Sequence, residues 1–365
     1  MKQWSCLAIL SSLGFSPATG SEVRRTPEWF LVGSKLYGEE SGDEFGSSLA
    51  MSSDGTTIAI GARSNNGNGD RSGHVRAYGF NGTDWSQLGS DIDGEESGDE
   101  FGTSLAMSSL GNILAVGARL NDGNGIESGH VRVYGFYESD WIQLGSDIDG
   151  DGEYDWFGSN VAMSSVGNTI AINKGLENGY VRVYGFHQNN WIQIGSDIDE
   201  EESKDLFGFS IAMSSNGNYL AIGAPFNNGN GEKSGHVRVY AFNGTDWSQV
   251  GTDIDGEESE DWSGFSVEMS SDGNTIAIGA LYNDGNGKNS GHVRVYRFDG
   301  TDWIQVGSDI DGEASEDWFG HSIAMSSDGN TIAIGAAWND GNGENSGHVC
   351  VYRFDGTDWI QVGSD

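Results

Sequence analysis

Basic residues are scarce in this chain. It has 18 lysines and arginines against 55 aspartates and glutamates, so its formal net charge at pH 7 is -37. A surface of this sign repels the phosphates of nucleic acids and anionic lipid headgroups at neutral pH. We therefore expect no nucleic-acid partner.

Long apolar runs are lacking as well. No segment approaches the roughly 18 consecutive apolar residues that a membrane-spanning helix needs, so we expect no transmembrane segment. The first residues do combine Lys2, an apolar stretch through Phe15, and small residues at Ala18 and Gly20, which is the pattern of a secretory signal peptide. Residues 1–20 are therefore predicted to be a signal peptide, and residues 21–365 a single extracellular or cell-surface domain. An ordinary N-terminal tail is the alternative.

Cysteine is almost absent. Of the two cysteines, Cys6 would leave with the signal peptide and Cys350 would remain alone. This excludes an intramolecular disulfide framework in the mature chain. Stability must then come from packing, or from packing and a bound metal ion.

An internal repeat covers nearly the whole chain from residue 29 onward. The pair Phe-Gly begins at residues 45, 101, 157, 207 and 319, and Ser263-Gly264 replaces it once. Tryptophan keeps the same interval, at Trp29, Trp85, Trp141, Trp191, Trp247, Trp303 and Trp359. The unit of about 56 residues therefore occurs six times, with a seventh copy of the tryptophan segment.

Each unit reads as four short strands. HSIAM, NTIAIGA, HVCVYRF and DWIQVGS in the last unit alternate apolar and polar residues, and tight-turn signals such as Asp-Gly-Asn and Asp-Gly-Thr separate them. A lone four-stranded antiparallel meander cannot bury both of its faces, so we predict an all-β propeller, with six blades favoured and seven possible. The surplus Trp29 strand would either complete the last blade and close the ring, or mark a shortened member of a seven-bladed lineage.

This succession of motifs resembles the FG-GAP repeat, the unit of the integrin alpha-chain N-terminal propeller. The residues that carry the resemblance are Phe-Gly, Ser-Ile-Ala, Ile-Ala-Ile-Gly-Ala and Gly-His-Val-Arg-Val-Tyr, with one full Gly-Ala-Pro at residues 223–225. The third repeat departs from the pattern, with the shorter AINKGLENGY. The resemblance implies an extracellular propeller that binds or adheres to a protein or glycan, often with calcium. It does not identify the ligand.

The metal site of integrin-like propellers cannot be carried over by position. Their calcium loop lies between the first two strands, where this chain has only short turns such as SSDGN. An acidic string instead precedes Phe-Gly in each linker between units. In GSDIDGDGEYDWFG, residues 145–158, a glycine follows the third acidic residue and allows a sharp turn. We therefore predict a calcium site formed by the side chains of Asp147, Asp149, Asp151 and Asp155 with the backbone carbonyl of Glu153. A solvated acidic rim is the alternative.

Two other residue types recur once per repeat. Five histidines precede the third strand, at His74, His130, His236, His292 and His348, and we expect a structural role because one per blade cannot converge on a single site. Five arginines alternate with valine in that strand, at Arg76, Arg132, Arg182, Arg238 and Arg294. We expect them to pair with carboxylates, and a sialidase-like arginine cluster is the weaker alternative.

The loops after Gly-Ala differ most between repeats. They are rich in Asn, Asp and Gly, and Phe226, Tyr282 and Trp338 stand near their starts, where they could contact a ligand. Asn81 and Asn243 lie in glycosylation sequons at hairpin tips. No nucleophile or base stands outside the repeat pattern, so we predict a binding protein without enzymatic activity. A structural surface scaffold, or a propeller glycoside hydrolase, is the alternative.

Overall fold

The computed structural model describes residues 31–175, 179–199 and 204–363. The predicted signal peptide and Trp29 lie outside these ranges. All regular elements of the described residues are β-strands, so the prediction of an all-β chain is confirmed. Within these ranges, no helix is long and apolar enough to cross a lipid bilayer.

The first three repeats each form one antiparallel sheet. Blade 1 contains β1 (Ser48–Met51), β2 (Thr57–Ala62), β3 (His74–Phe80), β4 (Trp85–Gln87) and β5 (Ile92–Asp93). Blade 2 contains β6 (Ser104–Met107), β7 (Ile113–Ala118), β8 (His130–Tyr137), β9 (Asp140–Gln143) and β10 (Ile148–Asp149). Blade 3 contains β11 (Val161–Met163), β12 (Thr169–Asn173), β13 (Tyr180–His187), β14 (Asn190–Gln193) and β15 (Ile198–Asp199).

The last three repeats form sheets of the same order. Blade 4 contains β16 (Ser210–Met213), β17 (Tyr219–Ala224), β18 (His236–Phe242), β19 (Trp247–Gln249) and β20 (Ile254–Asp255). Blade 5 contains β21 (Ser263–Met269), β22 (Thr275–Ala280), β23 (His292–Phe298), β24 (Trp303–Gln305) and β25 (Ile310–Asp311). Blade 6 contains β26 (Phe319–Met325), β27 (Thr331–Ala336), β28 (His348–Phe354) and β29 (Trp359–Gln361).

Each blade is a four-stranded antiparallel meander, and in blades 1 to 5 its last strand is interrupted. In blade 1, β4 pairs with the end of β3, whereas β5 pairs with the beginning of the same strand. The two short strands are therefore halves of one outer strand. Six such blades stand in a propeller ring, which confirms the prediction of six blades.

The Phe-Gly and Gly-Ala pairs meet where two blades touch. Phe101 is fully buried between blades 1 and 2. A methyl group built on Gly61 would lie 2.4 Å from the carbonyl oxygen of Gly102 in the next blade. The hydroxyl of Ser48 donates a hydrogen bond of 2.6 Å to that same oxygen. This close approach of two backbones explains why glycine recurs in the second strand.

The repeated tryptophan joins neighbouring blades at their outer strands. The indole N–H of Trp141 in blade 2 donates a hydrogen bond of 2.9 Å to the backbone carbonyl of Leu88 in blade 1. Its ring packs on Phe136 of its own blade, with 5.2 Å between ring centroids. Tryptophan therefore covers the outer part of its sheet, as the sequence predicts, and also attaches it to the preceding blade.

The third repeat replaces glycine by asparagine at the blade junction. Asn173 occupies the position of Gly61, and its side-chain oxygen accepts a hydrogen bond of 2.7 Å from the backbone N–H of Asn160. The amide of Asn160 donates 2.7 Å to the carbonyl of Phe209 in blade 4, where other repeats use a serine hydroxyl. At this junction the side-chain amides of Asn160 and Asn173 therefore replace the serine hydroxyl and the glycine of the other repeats.

The N-terminal segment packs on blade 1. Val32 accepts the indole hydrogen bond of Trp85, and the N–H of Ser34 donates 2.7 Å to Asp84. Leu36 contacts a small apolar cluster that contains Ile58. In blade 6, β29 provides only the first half of the outer strand, and no described strand pairs with the beginning of β28. Trp29 lies outside the described residues, so completion of the last blade by the N-terminus stays a prediction.

The sixth blade has a looser face than the others. Val293 is fully buried and Val295 is 1% exposed in blade 5, and the equivalent valines of blades 2 to 4 are equally buried. Their counterparts Val349 and Val351, on the face of blade 6 that points toward blade 1, are only half-buried. The five junctions between consecutive blades from 1 to 6 are therefore packed more tightly than the junction between blade 6 and blade 1.

Candidate functional site

The predicted calcium linker lies between blades 2 and 3, and its first aspartate is held by arginine. Both oxygens of Asp147 accept hydrogen bonds from Arg132, at 2.9 and 2.7 Å. Burial acts to raise the pKa of Asp147, but the guanidinium outweighs it and keeps the pKa below its ordinary value. Asp149 is exposed at the end of β10, and partial desolvation raises its pKa.

The remaining residues of this linker also have partners within the chain. Asp151 accepts hydrogen bonds of 3.1 and 2.8 Å from Arg182, which lowers the pKa of its carboxyl. Asp155 is buried. It accepts the backbone N–H groups of Asp151 and Gly152 at 3.0 and 2.9 Å, and pairs with Lys174 at 2.9 Å. The side chain of Glu153 is exposed.

The aspartate at the place of Asp155 has a structural role in the other repeats. Its equivalents accept a hydrogen bond from the buried asparagine of the following Asn/Gly-rich loop, for example 3.0 Å from Asn121 to Asp99. The third repeat lacks that asparagine, and Lys174 takes its place. Three carboxylates of this linker therefore have a cationic partner each: Arg132 binds Asp147, Arg182 binds Asp151 and Lys174 binds Asp155. An ion bound by all five predicted ligands would have to compete with these cations, so calcium binding here stays a prediction.

In blades 1 to 3, an arginine from the third strand joins consecutive linkers in the same way. Arg132 bridges Asp147 of its own outer strand and Glu95 of the preceding linker, and we call this arrangement the arginine clasp. Arg76 pairs with Glu39 and Asp91 in the same manner. The prediction that these arginines pair with carboxylates is confirmed.

Four groups of side chains could bring three metal ligands together. They are Glu39, His74 and Asp91; Glu95, His130 and Asp147; His236, Asp253 and Asp255; and Glu257, His292 and Asp309. In the first two groups the acidic members already bind the arginine of a clasp. The clasp therefore supplies the positive charge that a metal ion would otherwise supply.

Four of the five recurring histidines are buried at the start of the third strand, and His348 is half-buried. His130 is 2% exposed, and its Nε2 has no hydrogen-bond partner. Burial lowers the pKa of His74 and His130, and lowers that of His292 to about 4. These side chains are therefore neutral at pH 7 and one per blade, in agreement with the structural role that the sequence predicts.

The loop face of the ring differs between its two halves. In blades 4 to 6 it carries a continuous run of aromatic rings, which we call the aromatic arc: Phe226, Trp262, Tyr282, Trp318 and Trp338. Successive ring centroids are 4.5, 4.5, 5.2 and 4.9 Å apart. The rings are half-buried, and Trp338 at the end of the run is 39% exposed.

The equivalent positions of blades 1 to 3 are mostly charged. Glu44 and Glu100 precede Phe-Gly, where Trp262 and Trp318 stand in the other half. Arg63 donates to Glu44 at 2.7 Å, and Arg119 donates to Glu100 at 3.0 Å. Where a tryptophan does occur, at Trp156, the guanidinium of Arg119 lies 5.3 Å from its ring centroid. In this half of the ring, Arg63 and Arg119 of the chain itself therefore occupy the place beside these acidic and aromatic side chains.

The inner strands break the repeat on the same side of the ring. Phe209, Phe265 and His321 stand where the first three repeats have serine or threonine, and their rings contact one another, with centroids 4.9 and 5.4 Å apart. Glu268 occupies a place that alanine holds in the five other repeats. Desolvation raises its pKa to about 7.

Five stretches of this chain match the model of a known repeat family. The family model described as "FG-GAP repeat" matches residues 38–78, 92–134, 199–242, 249–296 and 309–352. The chain belongs to the FG-GAP repeat family. The matches leave out the third repeat, whose junction is rebuilt by Asn160 and Asn173 and whose loop is shortened. No curated protein matches this FG-GAP chain.

Solved structures similar to this FG-GAP propeller share its fold at low identity. Hydrazine synthase of Kuenenia stuttgartiensis is 14% identical with a TM-score of 0.58, over 89% of this chain and 80% of that one. A candidate 6-phosphogluconolactonase of Bacteroides uniformis is 12% identical with a TM-score of 0.56, over 84% and 82% of the two chains. At such identities the similarity supports the fold alone.

Sequence reasoning named three residues of the aromatic arc but missed the arc itself. Phe226, Tyr282 and Trp338 are noticeable at the loop starts, whereas the repeat pattern does not single out Trp262 and Trp318. A comparison of the residue before each Phe-Gly pair would have found the change from glutamate to tryptophan along the chain. Glu268 was missed too, although alignment of the first strands exposes it.

Proposed function

We propose that this protein is an extracellular or cell-surface binding propeller without enzymatic activity, whose partner is a protein or a glycan. The observation that carries the proposal is the division of the loop face. Apart from Glu268, the acidic side chains that could take part in acid, base or metal chemistry recur between repeats and mostly pair with arginines, whereas the exposed loop starts differ from blade to blade. Variable loops on a rigid scaffold are the usual place of binding specificity.

A hydrolase is the less favoured function. Glycoside hydrolysis in most families needs two carboxyl groups that flank the scissile bond. Glu268 is a carboxyl with a raised pKa, but its position holds alanine in the five other repeats, so that position supplies a single acidic group. A purely structural scaffold would bind no specific partner, and the aromatic arc would then have no use.

Family membership supports the proposed location and the proposed use of calcium without settling either. FG-GAP repeats are typical of extracellular proteins, and their domains generally mediate protein interactions. Calcium would be bound at the linker of Asp147, Asp149 and Asp151, with Asp155 and the carbonyl of Glu153. It would stabilise the fold and supply no chemistry. The requirement is that calcium competes successfully with Arg132, Arg182 and Lys174 for these carboxylates.

Binding is tested by probing protein and glycan arrays with the purified chain, with and without calcium. The matched variant carries Tyr282→Ser and Trp338→Ser, which change the loop starts and leave the blade junctions intact. We expect saturable binding by the wild-type chain and weaker binding by the variant. A chain that binds no array member in either condition is a scaffold, and the proposal fails.

A further inference from the structure

The equivalent positions in the first half of the ring indicate which chemical group the aromatic arc can bind. In the first two repeats, a carboxylate or an aromatic ring from an adjacent linker lies beside the residue that follows Gly-Ala. Arg63 and Arg119 hold that position in the first two repeats, against Glu44, Glu100 and Trp156. The first half of the ring thus shows which group this site takes, namely a guanidinium.

The second half keeps the acceptor and loses the arginine. The residues equivalent to Arg63 and Arg119 are Leu281 in blade 5 and Ala337 in blade 6. The ring centroids of Trp318 and Trp338 lie 4.9 Å apart with the planes tilted by 48°. Glu316 lies next to Trp318 and pairs with Lys288 at 3.0 Å. The carboxylate thus has a lysine partner, whereas the position of Arg63 and Arg119 carries no cation in blades 5 and 6.

One cation of the chain already uses the arc. The ammonium of Lys233 lies 5.6 Å from the ring centroid of Phe226 and 3.4 Å from a carboxylate oxygen of Glu260. A positive charge over an aromatic face and beside a carboxylate is favourable, because the ring quadrupole attracts the cation. The first ring of the arc is thus filled, and the rings of blades 5 and 6 are those that remain.

We propose that the aromatic arc binds a lysine- and arginine-rich polypeptide segment, whose cationic side chains take the places that Arg63 and Arg119 hold in the first half of the ring. This site rests on the binding function proposed above and names its partner class. The net charge of -37 attracts such a segment from a distance, and the rings of blades 5 and 6 give the place where it is held.

The alternative ligand chemistry is a neutral glycan stacked on the rings. The arc favours the cation for two reasons. Neighbouring rings meet edge to face, as in the pair of Trp262 and Tyr282 with an interplanar angle of 87°, and so offer no long flat platform. In addition, Glu260 and Glu316 border the rings, and each already pairs with an ammonium group of the chain, Lys233 and Lys288.

The test measures affinity for an oligolysine and an oligoarginine of equal length, with an uncharged peptide as reference. Trp338→Ala removes the most exposed ring. Ala337→Arg places an arginine where Arg119 stands in the second repeat, so that the chain fills its own site. Both variants are expected to weaken oligoarginine binding by about fivefold, the loss of one cation–π contact.

Two matched controls separate the site from general charge attraction. Leu120→Ala changes the residue of blade 2 that is equivalent to Trp338. Val166→Arg adds the same charge as Ala337→Arg in an exposed turn between the first two strands of blade 3. Both controls should bind oligoarginine as the wild type does.

The outcomes distinguish this proposal from the general binding function. Equal peptide affinities in the wild type, Trp338→Ala and Ala337→Arg would show charge attraction without a site, and would overturn the proposal. Array binding confined to neutral glycans and lost in Trp338→Ala would overturn the cationic partner while the binding function stands. Peptide binding that depends on the arc, with no hit on any array, would uphold the site and count against adhesion.

Discussion

The indole nitrogen of Trp303 donates a hydrogen bond of 2.9 Å to the backbone carbonyl of Val250, in the outer strand of the preceding blade. Trp303 is 7% exposed and packs on Phe298 of its own strand pair. The same contact recurs from Trp85 to Trp359. It adds to the other hydrogen bonds between neighbouring blades, such as that from Ser48 to Gly102 and that from the N–H of Ser53 to the carbonyl of Ser109.

Substitution of this tryptophan tests the contact. Trp303→Phe keeps an aromatic ring on Phe298 but leaves the Val250 carbonyl without its donor, so we expect a loss of about 1 kcal/mol in the free energy of unfolding. Trp85→Phe is the matched control, because Trp85 is half-buried and its acceptor Val32 is exposed. Denaturant melts that show equal losses in the two variants would contradict the explanation.

The arginine clasp predicts an acid-sensitive contribution to stability. Asp253 accepts two hydrogen bonds from Arg238, at 3.0 and 2.8 Å. Burial opposes ionisation, yet Arg238 outweighs it and holds the pKa of Asp253 below its ordinary value of 3.8. Asp253→Asn should therefore cost about 2 kcal/mol at pH 7, measured by denaturant unfolding.

The pH dependence of this loss follows from the lowered pKa. The contribution of Asp253 is present above the pKa of the unfolded chain and disappears as the pH falls through the lower pKa of the folded chain. Wild type and Asp253→Asn should then approach each other in stability below about pH 4. A constant difference across this range would show that the clasp is not the cause.

The raised pKa of Glu268 predicts the opposite pH dependence of the free energy of unfolding. Its pKa is raised from 4.5 to about 7 in the folded chain by desolvation, so ionisation is disfavoured by the fold. The penalty is absent below pH 4.5, grows between pH 4.5 and 7, and is constant above pH 7. Glu268→Ala should then be more stable than the wild type at pH 8, by an amount on the order of 2 kcal/mol.

Melting curves from pH 4 to pH 8 check this prediction. The difference between Glu268→Ala and the wild type should increase with pH and then level off. Glu268→Gln, which keeps the size of the side chain, controls for the lost packing. Parallel curves for all three chains would mean that Glu268 is hydrated and ordinary.

Removal of the N-terminal segment should destabilise blade 1. A chain that starts at residue 38 loses the partner of the Trp85 indole, the hydrogen bonds from Ser34 to Asp84, and the contact of Leu36 with Ile58. We expect a lower melting temperature in calorimetry. An unchanged transition would show that these contacts contribute nothing in solution.

Calcium is tested at the linker of blades 2 and 3. If Asp147, Asp149, Asp151, Asp155 and the carbonyl of Glu153 bind the ion, calcium should raise the melting temperature with about millimolar affinity, and magnesium should do so much less. Arg182→Gln should tighten binding because it releases Asp151. Titration calorimetry without saturable binding, or an Asp149→Asn and Asp151→Asn chain that binds as the wild type does, would refute the site.

The repeat allows the fold to be predicted from the sequence, because the pattern of each strand occurs six times. The interval between tryptophans and the alternation in segments such as NTIAIGA are enough to predict blades and their number. The pairing of Arg132 with Asp147 also follows from spacing, since both recur at fixed places beside the third strand. Local pattern and regular recurrence therefore explain most of the architecture.

The candidate site is less readable because it depends on pairs of residues in different repeats. Trp318 and Trp338 belong to separate motifs in the sequence and meet only in the folded blade. The partners of Asp151 could not be predicted either, since Tyr180 and Arg182 come from the following repeat. Periodicity identifies what is shared between units, whereas this site arises from what they do not share.

The half-buried valines of the sixth blade determine where the ring comes apart. Val349 and Val351 leave one face incompletely packed, and each blade is held only by its immediate neighbours. Local opening should then start at that face, with blade 6 exchanging its amide hydrogens sooner than blade 3, which is enclosed on both sides. The aromatic arc ends in this same blade, so a partner bound across Trp318 and Trp338 would slow the first step of unfolding for the whole ring.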